Sequence, residues 1–168
     1  AECQIVVNLP AVSREHAVIK RVKSQFWIED LKSRNGTQVN SHDIKKSTLL
    51  KHNERLAESA IARFGLGAGS KVVEVASNDG YLLQHVVERG VRALGIEPAA
   101  NVAEVAVEKG VPTEVTFLGE ATGRDVAARH GAADLVVANN VFAHVPDIVD
   151  FAKGLRALVA DDGTVTIE

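Results

Sequence analysis

The stretch KVVEVASNDGYLL, Lys71 to Leu83, decides how the rest of the chain is read. Its first part is apolar and largely β-branched, as a strand buried on both faces requires. It stops on Ser77-Asn78-Asp79-Gly80, four residues of turn chemistry, and becomes apolar again. A buried strand, a polar turn and an apolar restart together open a β-α-β unit, and the turn is where such a unit meets a ligand.

Working outward, the same alternation continues to the last residue. "GYLLQHVVERG" predicts a helix closed by Gly90, "VRALGIE" a second strand, "AANVAEVAVEKG" a helix stopped at Gly110 and "PTEVTFL" a third strand. "EATGRDVAARHG" predicts a helix, "ADLVVANNV" a fourth strand, "PDIVDFAKGLRALVADDG" a helix and "TVTIE" a fifth strand. Upstream, "ERLAESAIARFGLGAGS" has helical apolar spacing and a glycine-rich stop. Continuously apolar strands alternating with helices imply an α/β fold: a Rossmann-like, doubly wound, mainly parallel sheet of five strands over residues 57–168.

Residues 1–56 follow another rule. "CQIVVNL", "HAVIKRV" and "QFWIEDL" are short β-rich runs separated by turn-forming segments, the spacing of a β-sandwich, here a partial one. Charge changes sign at the same place, with 10 basic against 6 acidic residues in 1–56 and 9 against 16 in 57–168. Two units of different origin or partner are therefore expected, at 1–56 and 57–168. The 168-residue chain is 46% apolar and 24% charged, a globular composition rather than a disordered one. No apolar run approaches the roughly 20 residues that span a bilayer, so no membrane partner and a cytoplasmic location are expected. The small basic excess lacks an aromatic platform, which argues against nucleic acid. The lone Cys3 supports neither an intrachain disulfide nor a cysteine metal site, and no metal is expected. Methionine is absent even at position 1, so a piece of something longer is expected.

The turn after the first strand narrows the ligand. Glu97 closes the second strand, where an acid can accept hydrogen bonds from both hydroxyls of a ribose. A pyrophosphate would need several glycines and little negative charge, yet this loop has one glycine, Gly80, with Asp79 in it and Glu74 just behind. Two carboxylates suit a cation. S-adenosylmethionine (SAM) carries a sulfonium, an ammonium and one carboxylate but no phosphate, and a helix beginning near Gly80 would receive that carboxylate.

"VVEVASNDGYLL", "LGIEPAANVAEVAVEKGVP" and "DLVVANNVFAHVPDIVDFAKGLRALVADDGTVTIE" resemble class I SAM-dependent methyltransferases, most closely those that methylate a carbon of nucleotide-linked keto-deoxysugars. Against the general motif of an acid followed by three alternating glycines, Glu74 matches the acid and Gly80 the last glycine, while Ala76 and Asn78 replace the other two. The resemblance implies that Glu74, Ala76, Asn78 and Asp79 line the methionine end of the cofactor, and that Glu97 and Pro98 hold the ribose with Asn101 nearby. It places Phe117, Leu118 and Gly119 beside the adenine, and Asn139, Asn140 and His144 toward the methyl group and a small-molecule acceptor, with His144 as the base. Each has a plain structural alternative. Asp79-Gly80 can be only a turn, Glu97 an exposed strand end and His144 a helix cap or a surface residue, and Phe117 reads better as core than as an adenine wall. The resemblance also places much of the substrate site beyond the fifth strand, so cofactor binding is easier to defend than turnover.

"VSREHAVIKRVKSQFWIEDLKSRNGTQVN" resembles a forkhead-associated domain, which binds phosphothreonine peptides. Ser13 and Arg34 would contact the phosphate, Arg14 would add charge, Asn35 would fix the peptide backbone and His16 would buttress the loop. The family's opening strands are not in the sequence, and of Phe26 and Trp27, which normally help fill the core, one is expected to pack on the second part of the chain or to remain exposed. Three readings result: a SAM-binding methyltransferase core, a phosphothreonine-binding module on an α/β scaffold, or a chimera without native activity. Exposed sandwich edges make an oligomer conceivable.

Overall fold

The computed structural model describes residues 17–22, 25–39, 42–44, 48–49 and 52–168. The chain divides into two compact units, 1–52 and 53–168, four residues before the predicted junction. In the first, β1 (Ala17–Val22) pairs antiparallel with β2 (Gln25–Asp30) from Ala17↔Asp30 to Val22↔Gln25. β3 (Gln38–Val39) and β4 (His42–Asp43) pair with each other, and β5 (Thr48–Leu49) joins the other edge of β2. Asp30 ends β2 by accepting hydrogen bonds from the Ser33 backbone N–H at 3.1 Å and from the Ser33 and Thr37 hydroxyls, both at 2.5 Å. That clamp shapes the turn carrying Arg34 and Asn35. Phe26 is 49% exposed, one of the outcomes that an incomplete core leaves open for it. Ser13, Arg14 and His16 lie outside the described residues.

The second unit runs through α1 (His52–Phe64), β6 (Lys71–Val75), α2 (Leu83–Glu88), β7 (Arg92–Ile96), α3 (Ala100–Glu108), β8 (Thr113–Glu114), α4 (Glu120–His130), β9 (Ala133–Ala138), a 3₁₀ turn (Phe142–His144), α5 (Ile148–Leu158) and β10 (Val159–Ile167). The sheet order is β10-β9-β6-β7-β8 and every neighbouring pair is parallel. This is the predicted doubly wound sheet. Its order reverses between β6 and β9, so their carboxyl ends flank the crevice.

Alternation along the strands builds a core on each face. Val73, Val75, Leu94, Ile96, Val136 and Ala138 pack with Val126 of α4 and Phe151, Leu155 and Leu158 of α5. Val72, Leu135 and Val137 pack on the other face with Ala57 of α1, Leu83 and Val86 of α2 and Ala106 of α3. Glu74 falls between Val73 and Val75, so the pleat turns it to the same face as Val72.

The elements differ from the expected ones in four places. Gly80 adopts φ +72, which a helix cannot use, so α2 begins at Leu83 rather than near Gly80. The third strand shrinks to Thr113–Glu114 because β7 offers it only Gly95 and Ile96, and Glu114 is tied instead to Arg129 at 2.5 Å and His130 at 2.7 Å. Phe117, expected in the core, has therefore left the sheet and is 78% exposed. The last helix stops at Leu158, because Val159 already pairs with Ala133 and the register slips before Thr164 resumes against Leu135.

Two glycines let α4 and α5 approach. A Cβ on Gly123 would stand 2.7 Å from the Gly154 carbonyl oxygen, and one on Gly154 would stand 2.7 Å from that of Gly119. Backbone cannot yield there as a flexible side chain can. Gly154→Val is expected to cost about 3 kcal/mol of stability, measured as a lower urea midpoint for unfolding.

Candidate functional site

The turn leaving β6 reverses direction through left-handed backbone at alternate positions: Ala76 at φ +56, Asn78 at φ +50 and Gly80 at φ +72. These are the three positions at which the resembled motif has glycines. Two have acquired side chains while the backbone has kept the glycine geometry. Asn78 tolerates it, its side-chain amide donating to the Ala76 carbonyl at 2.8 Å, but alanine has no such compensation. Gly80 is required twice over, since a Cβ there would meet Ala106 Cβ and Val111 Cγ2 at 3.1 Å. Asn140, after β9, is a further left-handed residue at φ +53, and its N–H donates to the Glu168 carbonyl at 3.0 Å. Strain of this kind gathers where a site is preorganised.

Glu97 is 7% exposed and held from two sides. Its Oε2 accepts from the Asn78 N–H at 3.1 Å and its Oε1 from the Ala99 N–H at 2.9 Å. The alternative of a loose, exposed strand-end acid does not hold. Each oxygen keeps a further lone pair for a ligand hydroxyl. Pro98 follows in the connection to α3, and Asn101 is exposed in the first turn of that helix.

Glu74 and Ser77 are a different matter. They are 1% and 0% exposed, and neither Glu74 Oε2 nor Ser77 Oγ has a hydrogen-bond partner among the described residues. Burial raises the Glu74 carboxyl to about 8. Gly95, paired in register with Glu74, leaves the room that Ser77 Oγ uses; a Cβ there would collide with it and stand 2.9 Å from Thr113 Oγ1. Tyr81 stands nearby. Burial first, then the Glu74 carboxylate, raises its phenol, while a hydrogen bond from the Asn78 side chain acts the other way and Asp79 and Glu168 add to the rise.

Asp79 is not the open carboxylate that the sequence suggested. Lys109, at the end of α3, donates to its Oδ2 at 2.7 Å and to its carbonyl oxygen at 2.9 Å. The pair ties the turn to α3 and neutralises the acid expected to face a cation.

The remaining residues spread around the rim. Leu118 packs against the α4–α5 core, while exposed Phe117 anchors its loop by accepting from the Thr122 hydroxyl at 2.8 Å. Gly119 begins α4. Asn139 lines a cavity of about 220 Å³ under α1, together with Leu56, Ala60, Val137, Thr166 and Glu168, whereas Asn140 is exposed. His144 is exposed in the 3₁₀ turn at this end of the sheet and is no helix cap. Asp147 caps α5, accepting from the Val149 and Asp150 N–H groups. In the first unit, Arg34 and Asn35 are exposed together on the turn after β2. Sequence reasoning passed over Ser77, Tyr81 and Lys109. Only Gly95, a glycine inside an apolar strand, signalled a close approach there.

The methyltransferase domain family model matches residues 49–168, and the chain belongs to that family. The FHA domain model matches residues 1–57. C-methyltransferase NovU of Streptomyces niveus is 38% identical over 121 residues, covering 72% of this chain and 29% of the relative. The ubiquinone biosynthesis O-methyltransferase of Chromobacterium violaceum is 32% identical over 103 residues, covering 58% and 43%. The chain thus spans less than half the length of either curated relative. Among solved structures, coclaurine N-methyltransferase bound to N-methylheliamine and SAH superposes with a TM-score of 0.59 at 14% identity, over 78% of this chain and 38% of that one. That likeness is one of fold.

Because Ala76 holds a conformation that glycine adopts freely, Ala76→Gly is expected to raise stability by about 1 kcal/mol, measured by urea unfolding.

Proposed function

We propose that the second unit binds S-adenosyl-L-methionine and serves methyl transfer to a small molecule, a nucleotide-linked deoxysugar in the first instance. The observation that carries this reading is the pair of buried, partnerless polar groups, Glu74 Oε2 and Ser77 Oγ, in a turn whose neighbour Glu97 is already fixed. A turn with an orphaned buried carboxyl beside the Glu97 carboxylate fits a cationic ligand better than a pyrophosphate. Glu97 would receive the ribose hydroxyls, with Pro98 and Asn101 beside them. Glu74, Ala76, Asn78 and Gly80 would surround the methionine end, and Asp79 would act through Lys109 by holding the turn. Exposed Phe117 and the adjoining Leu118 would flank the adenine.

Bound there, the cofactor supplies a methyl group on a sulfonium, an electrophile open to in-line attack. The chain's own part is to orient the acceptor and take its proton. Asn139 and Asn140 stand at the carboxyl end of β9 for the first task, and exposed His144 is the group for the second. The likeness to a C-methyltransferase supports a carbon acceptor. Titration calorimetry is expected to show SAM binding, weakened about tenfold or more in Glu97→Ala by loss of charge-assisted hydrogen bonds. The absence of any heat with SAM would sink the reading.

A second activity is supported by the FHA match to residues 1–57 and by the clamped turn that presents Arg34 and Asn35. We infer that this unit binds a phosphothreonine peptide through Ser13, Arg14, Arg34 and Asn35. Fluorescence anisotropy with a labelled phosphothreonine peptide is expected to show binding that Arg34→Ala lowers at least tenfold, since a charge-assisted phosphate contact is lost. Equal affinity for the unphosphorylated peptide would overturn it.

A further inference from the structure

Glu74 poses a problem that its neighbours do not solve. It sits in the central strand, paired in register with Gly95 on one side and Val137 on the other, and it is 1% exposed. Its Oε2 and the equally buried Ser77 Oγ both lack hydrogen-bond partners among the described residues. The charged groups around this end of the sheet do not help. Asp79 in the turn, Glu97 at the end of β7 and Glu168 after β10 are acids, and Tyr81 in the turn is a phenol whose ionisation is disfavoured first by burial. Lys109, the cation from α3, is taken by Asp79 at 2.7 Å. Arg89, after α2, is taken by Glu58 at 2.5 Å and Glu54 at 3.7 Å of α1. On this face β9 contributes Leu135 and Val137.

We propose that Glu74 is neutral in the ligand-free protein and is ionised by the cationic cofactor, so that binding expels a proton to solvent. The inference rests on the SAM reading above. The carboxyl O–H bond breaks, its electron pair stays on Glu74, the proton passes to the buffer, and the incoming positive charge compensates the carboxylate. Burial alone raises the carboxyl to about 8, so near pH 7 the acid form prevails before binding and a nearby cation lowers it. The direction follows by linkage: below about pH 8 the cofactor must displace a proton and affinity rises with pH, whereas above it Glu74 is already ionised and the gain ends.

The test is titration calorimetry of the full chain with SAM at pH 7, in phosphate and in Tris, whose ionisation enthalpies differ. The expected result is release of close to one proton per SAM bound by the unaltered protein and almost none by Glu74→Gln. Should that variant not fold, the unaltered chain suffices, because its SAM affinity is expected to rise by close to tenfold from pH 6 to pH 7 and to level off above about pH 8. Binding heat independent of buffer, undiminished proton release in Glu74→Gln, or a flat affinity across that pH range overturns the inference and leaves SAM binding standing. No heat with SAM in any buffer overturns both.

Discussion

The second unit depends on how its central strand ends. β6 is hydrogen-bonded on both edges and buried at all five positions, so the chain must leave the sheet only at its carboxyl end. It has seven residues, 76 to 82, in which to turn before α2 begins. Left-handed backbone at Ala76, Asn78 and Gly80 achieves this, with Gly80 pressed against Ala106 and Val111 of the α3 segment. Glycine at the first two positions would remove the strain. The strain tolerated there also aims the Asn78 N–H at Glu97 and so joins two strand ends into one site.

Electrostatics at this site follow from packing more than from residue type. Asp79 and Glu74 are five residues apart in one motif, yet one is neutralised by Lys109 and the other is sealed among apolar side chains. The half-buried acid, Asp79, holds the turn to α3. The buried one keeps an unmet demand for a partner, and in a low-dielectric pocket such a demand is large.

The chain joins two units of different construction. Its first unit presents Arg34 and Asn35 on a turn clamped by Asp30, and its second presents acids and amides at the ends of parallel strands. The family matches follow the same division, with the FHA model over 1–57 and the methyltransferase model over 49–168. The charge of the sequence changes sign near the same division, from a basic excess in 1–56 to an acidic excess in 57–168.

Much of the second unit was legible in the residues themselves. Continuously apolar β-branched runs, helical spacing between them and glycines at their stops are local signals, and they specify a parallel sheet because only helices on both faces can bury such strands. The acids Glu74 and Glu97 were visible for the same local reason. The length of β8, the late start of α2, the exposure of Phe117 and the capture of Asp79 by Lys109 were not, because each depends on what a partner strand or helix offers at that point in space. The neutral state of Glu74 belongs with them. The sequence alone determined that a carboxyl would stand in the central strand; only the tertiary structure decided its charge, since desolvation is a property of the surroundings and not of the residue.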